Sequence, residues 1–432
     1  MSDAPMPHSP RSPLWRRAAK ALGVLLAVLL LLVVILARGP IAFVLGGGLR
    51  LPEPQGPYGV GRATWDAVST AQLEMFSDAP DDYRKIRVDV YYPAVKDKDA
   101  RPGVYLDAAI AEAATGVPAI ATRPITPNWI PDAPPDRSGA PYPVLVFSPG
   151  VDGPPVFYTS LLEHLASRGF IVLALWHPYT NAATLFADGS IAEAVYAGNE
   201  AMWEGEEVAR DAAKRIVSRV WAEDMSLALD ELAHRSESAP DFKALADFDK
   251  VGAFGHSFGG QNAAAVMTLD ARFRAGLNMD GTTVFEPILT GEVKGPFALV
   301  FDEFGPPPQA WLDTKGMTEA QWWDFFCERN CAPALRESAS PFYTFQIDGI
   351  KHEGFSIDLA LLQPLFPFAI TPDMVGTIDA RESLALLADL IGGFFDKHLR
   401  GAEVPLLDNP ASIHPALHRG IKGHPDPALA RP

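Results

Sequence analysis

The sequence predicts an α/β protein: a mostly parallel sheet with helices on both faces, preceded by a segment apolar enough to cross a membrane. Three observations carry that expectation. From Tyr142 onward, short apolar runs of strand length alternate with longer segments of helical period. One of those runs leads through Gly255-His256-Ser257-Phe258-Gly259 into an Ala-rich stretch. Near the start, Ala21 to Ala37 is an unbroken run of 17 apolar residues behind a basic N-terminus.

Composition narrows the class. A chain of 432 residues can bury a large core, and its 40 prolines imply many turns and extended excursions. The formal charge is −17; residues 1–38 hold five basic residues and one acid, so the remainder carries −21. Such a body is repelled by nucleic acid and by anionic lipid, and a nucleic-acid partner is not expected. Two cysteines, Cys327 and Cys331, make neither a disulfide framework nor a four-ligand zinc site. Their i, i+4 spacing permits either a local disulfide or two thiols.

Taken in order, residues 1–20 form a basic segment and 21–45 a signal-anchor: the apolar run, Arg38-Gly39-Pro40 and a further patch from Ile41 to Leu45. No small-x-small cleavage site follows closely, and the basic residues concentrate before the run. That charge bias puts the N-terminus inside and the body outside the cytoplasm, with secretion after signal cleavage as the alternative. Residues 46–57 read as a Gly- and Pro-rich linker, 58–408 as the main domain with insertions, and 409–432 as a loosely held tail.

Within the domain, strands are expected at Tyr58–Ser69 and Lys85–Tyr92. The second alternates through Ile86, Val88, Val90 and Tyr92, as a half-buried edge or antiparallel strand does. Residues 94–141 show no sustained period and read as an excursion. The regular pattern then runs as strand Pro143–Phe147, helix Phe157–Arg168, strand Phe170–Trp176 and a long helix from Trp203 to His234. Strands Val251–Phe254, Ala275–Met279, Phe297–Phe301 and Phe342–Ile347 follow, and Ser383–Leu399 closes the domain as a helix.

Gly255 to Gly259 fits Gly-x-Ser-x-Gly between a strand and a helix. A turn that sharp is strained at its serine, so the residues two positions either side must be small. The geometry lifts Ser257 Oγ clear of the sheet, with the amide of Phe258 beside it as an oxyanion donor. An acid and then a histidine base must come from later strand ends, in that chain order. Of the five histidines after Ser257, His398 reads as a solvated helix-end residue, and His414, His418 and His424 lie in the tail. His352 stands in the loop after the strand ending at Ile347, where a base belongs. His177, after an earlier strand, is a candidate lining residue, and His256 a packing and hydrogen-bonding neighbour. For the acid, Asp280 and Asp302 both follow strands, and spacing leaves the choice open.

The elbow Gly255-His256-Ser257-Phe258-Gly259-Gly260 resembles that of the plasma-type platelet-activating factor acetylhydrolases, a branch of the α/β-hydrolases. So do Gly56-Pro57-Tyr58 with Val60-Gly61, the pair Phe147–Gly150 and Leu165–Val172, and His352 with Phe355. The resemblance implies Ser257 as nucleophile, Asp280 as acid and His352 as base, with the amides of Phe258 and Val151 forming the oxyanion hole. It implies calcium-independent hydrolysis of short-acyl or oxidised phospholipid esters; general carboxylesterases and dienelactone-hydrolase-like enzymes share the core. Pro149 stands where that family usually carries histidine, and 94–141, 178–202 and 303–335 fall outside its motifs.

The chemistry expected is acyl transfer to water, with no metal or organic cofactor called for. Trp322-Trp323 with Phe325-Phe326, and Leu361 to Phe368, are apolar stretches able to meet a lipid. The rival from another class is a membrane-anchored, non-catalytic binding protein on the same fold.

Overall fold

A computed structural model describes residue 43 and residues 47–77, 79, 81–115, 124–238, 242–282, 293–330 and 340–422. The expected anchor, apart from Phe43, therefore lies outside the described residues, as do Cys331, residues 1–20 and the last ten residues of the tail. Among the described residues no helix is long and apolar enough to cross a membrane.

Ten strands form one sheet: β1 (Gly59–Leu73), β2 (Tyr83–Ala94), β3 (Ile130–Pro131), β4 (Tyr142–Ser148), β5 (Ile171–Trp176), β6 (Ala246–His256), β7 (Phe273–Met279), β8 (Phe297–Phe301), β9 (Phe342–Ile347) and β10 (Leu417–Arg419). Their spatial order is β10-β9-β8-β7-β6-β4-β5-β2-β1-β3. From β9 across to β5 every pairing is parallel. The pairs β5–β2, β2–β1 and β9–β10 are antiparallel. This is an α/β fold on a large, mostly parallel sheet.

The central strands are buried on both faces, and alternation along them decides which helix each side chain meets. Val144 and Val146 of β4 join one core layer with Met225, Leu229 and Leu232 of α2 (Glu207–Ser238) and Val266 of α3 (Phe258–Leu269). Leu145 and Phe147 point the other way. They meet Leu161 and Leu165 of α1 (Thr159–Ser167) and Leu387, Leu390 and Phe394 of α4 (Ala380–Arg400). Asp379 caps α4 by accepting the amides of Arg381 and Glu382, and Gly401 ends it with φ +72°.

Three expectations are corrected. The strand expected around Lys85–Tyr92 is antiparallel but lies inside the sheet, between β5 and β1. Its second face is buried as well: Asp89 is only 2% exposed, and it is paired with Arg62 and Arg87. The excursion 94–141 is organised. It supplies helix Ala108–Thr115, the outer strand β3, and Ile125–Thr126, which pairs with Leu49–Arg50. The tail from 409 is not loose throughout, because Leu417–Arg419 adds an antiparallel strand beside β9. Its two described histidines are engaged, His418 with Asp348 and His414 with Asp389.

The aromatic stretches serve the interior more than the surface. Trp323 is buried, Phe326 packs with Phe301 and Phe304, and Trp322 stacks on Phe326; Phe325 is exposed. Leu361 and Leu362 are buried, whereas Phe368 is exposed. Cys327 is in a disulfide.

Candidate active site

The site gathers at the carboxyl ends of β4, β6, β7 and β9. Ser257 lies between β6 and α3, as the cap of α3, with φ 54° and ψ −123°, a conformation that costs a non-glycine residue about 1–3 kcal/mol. Its amide donates to Met279 O at 2.8 Å, tying the turn to the neighbouring strand. The crossing is too tight for side chains. A Cβ on Gly255 would come within 2.5 Å of Gly259 and Ser148 backbone atoms, and one on Gly259 within 2.1 Å of Ser148 O.

His352 begins a short 3-10 turn, His352–Phe355, four residues beyond the loop's start at Asp348. Its Nε2 stands 3.0 Å from Ser257 Oγ, and its Nδ1 stands 2.6 Å from Asp280 Oδ2. Asp280 itself has φ 55°. The turn that presents it is braced by Asn278, whose Oδ1 accepts the Gly281 amide and whose Nδ2 donates to Gly281 O. Burial pulls the His352 pKa down, but the hydrogen bond and charge of Asp280, with Glu353 and Asp302, outweigh it and raise it above the ordinary value. The imidazole remains part-exposed, while Asp280 is largely covered.

Asp302 lies beside this line rather than in it. Its amide donates to Asp280 Oδ1 at 3.0 Å. Burial and the adjacent Asp280 carboxylate push the Asp302 carboxyl up to about 7. Asp280 and Asp302 also line a cavity of about 290 Å³ with Phe301, Phe304, Trp322 and Phe326.

The loop after β4 closes the other side. A Cβ on Gly150 would sit 3.4 Å from Ser257 Cβ, so this backbone runs directly past the serine. Val151 packs with Phe258, Trp221 and Met202. No hydrogen bond to the Val151 amide occurs among the described residues. An oxyanion on a carbon attached to Ser257 Oγ would therefore form between this loop and the start of α3.

His256 is buried, and burial with the neighbouring His352 charge holds its pKa well below the ordinary value, so it is neutral. Its ring lies 4.6 Å from that of His352 and 5.6 Å from Phe355. Tyr158, which no motif singles out, unites three parts of the site. Its oxygen accepts from Ser356 Oγ at 3.0 Å and from the Gly150 amide at 3.4 Å, leaving its own proton for His256 Nδ1 at 2.7 Å. His177 does not line the site: it is fully buried beneath it, between Ser148 and Asp224. His398 is a further correction. It is part-buried against Tyr343 and Phe394, and burial lowers its pKa to about 4.

Taken together, a hydroxyl, an imidazole and a carboxylate stand in hydrogen-bonded sequence at a strained turn beside a glycine-bearing loop. That arrangement can deprotonate the hydroxyl as it attacks a carbonyl and hold the resulting imidazolium.

Comparison with known proteins points to the same chemistry. Residues 127–219 match the family model described as platelet-activating factor acetylhydrolase, isoform II. A probable 1-alkyl-2-acetylglycerophosphocholine esterase of Arthroderma benhamiae is 25% identical over 409 residues, covering 88% of this chain and 96% of that protein. The platelet-activating factor acetylhydrolase of Canis lupus familiaris is 31% identical over 167 residues, 34% of this chain and 36% of that one. Among solved structures, a ferulic acid esterase from Streptomyces cinnamoneus superposes with a TM-score of 0.65 at 24% identity, over 86% of this chain and 99% of its own. That likeness concerns the fold.

Proposed function

We propose that the chain, whose residues 127–219 match the platelet-activating factor acetylhydrolase isoform II model, is a serine carboxylic ester hydrolase that cleaves short-acyl or oxidised phospholipid esters through an acyl-enzyme on Ser257. Ser257 Oγ attacks the ester carbonyl while its proton passes to His352 Nε2. Asp280 holds the imidazole in the tautomer that can accept it and stabilises the charged form. The amides of Phe258 and Val151 take the oxyanion, a contribution of about 3 kcal/mol for a single donor elsewhere. Collapse expels the alcohol, which receives the proton from His352. Water then attacks the acyl-enzyme by the same route in reverse and releases the acid.

The observation that carries this reading is the unbroken line from Ser257 Oγ through His352 to Asp280, at 3.0 and 2.6 Å. The substrate class draws on the Arthroderma relative, which aligns along nearly its whole length. The test is turnover on a panel running from short-acyl nitrophenyl esters to phosphatidylcholines bearing acetyl, oxidised or long sn-2 chains. The proposal expects acetyl and oxidised phospholipids to be preferred over long-chain ones. Preference for simple esters alone would make it a general carboxylesterase.

We further propose that the run Ala21–Ala37 is an uncleaved anchor that leaves the catalytic domain outside the cytoplasm. The basic residues before the run support it. So does Phe43, just past the run, which is 3% exposed and packs edge-on against Phe366 at 5.7 Å. Protease added to intact cells should degrade the domain, and the mature protein should retain its N-terminal residues; an N-terminus beginning after residue 45 would mean a secreted enzyme.

A further inference from the structure

A second serine–histidine–aspartate series lies beneath the first. Ser148 Oγ is 2.9 Å from His177 Nε2, and His177 Nδ1 is 2.8 Å from Asp224 Oδ2. Behind Asp224 stands Arg84, donating Nε to Oδ1 at 2.9 Å and Nη2 to Oδ2 at 2.7 Å; its Nη1 reaches Glu74 at 2.7 Å. Ser148, His177 and Asp224 have no exposed surface, and Arg84 has 1%. No ester can reach this serine, so the series cannot be a second active site.

We infer that Ser148, His177 and Asp224 are positioning residues for the oxyanion loop, acting as a hydrogen-bond chain with only one possible polarity. Burial lowers the His177 pKa, so the ring is neutral. Burial opposes ionisation of Asp224, but the Arg84 charge outweighs it and keeps the carboxyl below its usual range. An ionised carboxylate only accepts, so Nδ1 carries the imidazole proton and Nε2 must accept. Ser148 Oγ is thereby the donor, and its orientation is set. Ser148 is the last residue of β4, next to Pro149-Gly150-Val151. Its carbonyl and that of Pro149 press on Gly259, where a Cβ would meet them at 2.1 and 2.3 Å. The same histidine reaches the other donor: it stacks on Trp221 at 3.9 Å, and Trp221 meets Phe258 edge-on at 5.1 Å. Asn181, four residues after His177, donates to Gly150 O and Gly153 O. One buried ring thus registers the loop of Val151 against the residue that follows the nucleophile.

The inference rests on the reading of Ser257 as nucleophile, and its test separates the two. Ser148→Ala and His177→Gln are compared with wild type on an ester and its thionoester, whose sulfur accepts hydrogen bonds poorly and so gains little from an oxyanion hole. Both variants should lose kcat on the ester by about 10- to 100-fold, with KM changed by no more than about twofold. The ester-to-thionoester preference should fall about tenfold, and the acidic limb of the pH profile, which belongs to His352, should stay in place. A preference unchanged in variants whose circular dichroism is native would overturn the inference, because a purely structural role lowers both substrates alike. In wild type, the His177 Nδ1 proton should give a slowly exchanging NMR signal that does not titrate between about pH 6 and 9; titration there would also overturn it. Wild-type protein inactive on every ester would instead count against the reading of Ser257.

Discussion

The Asp302 amide donates to Asp280 Oδ1 while Asp280 Oδ2 faces His352, so one carboxylate joins the line and the other's backbone props it. This makes the two acids separable. Asp280→Asn should lower kcat by about 10³- to 10⁴-fold, the scale of a disabled triad acid. Asp302→Asn keeps its backbone amide and should stay within about tenfold of wild type. Steady-state kinetics on one short-acyl ester decide the matter, and the reverse ranking would reassign the acid.

His352 must be neutral to accept a proton, and its pKa is raised above the ordinary value. Activity should therefore rise with pH through a limb displaced above about 6.5, the unperturbed histidine value. Asp302 contributes to that rise, so Asp302→Asn should move the limb to lower pH by a fraction of a unit. A pH profile of kcat/KM measures both, and a limb moving upward would contradict the assignment.

Tyr158 links the oxyanion loop, His256 and the loop that carries His352. Tyr158→Phe leaves His256 Nδ1 and Ser356 Oγ without that partner. It should cost about 1–3 kcal/mol in urea unfolding and lower kcat by about tenfold.

Arg84 is 1% exposed and pairs with both Asp224 and Glu74. Arg84→Met strands two buried carboxylates and should destabilise the fold by about 3–5 kcal/mol at neutral pH, read from the urea midpoint. Arg84→Met with Asp224→Asn and Glu74→Gln should recover part of that loss.

How much of this could be seen in the sequence depended on the range of the interactions. Phe297–Phe301 and Phe342–Ile347 are strands with the expected bounds, because continuous apolar runs bounded by turns carry their own signal. Ser257 and His352 were legible from a local motif and from a strand end. The interior position of β2 was not: its alternation reads as half-buried because Arg87 and Asp89 look solvated, and only tertiary ion pairing lets that face be buried. The three-residue β10 is too short to show a period. His177 and Asp224 are 47 residues apart, and Ser148 a further 29 upstream, so no spacing announces their contact. Tyr158 was hidden in the same way.

The central claim is that Ser257 is a nucleophile activated by His352, and a fluorophosphonate probe tests it most directly. Wild-type protein should be labelled at Ser257, His352→Ala should be labelled far more slowly, and Ser257→Ala should not be labelled at all. Undiminished labelling of Ser257→Ala would contradict the account.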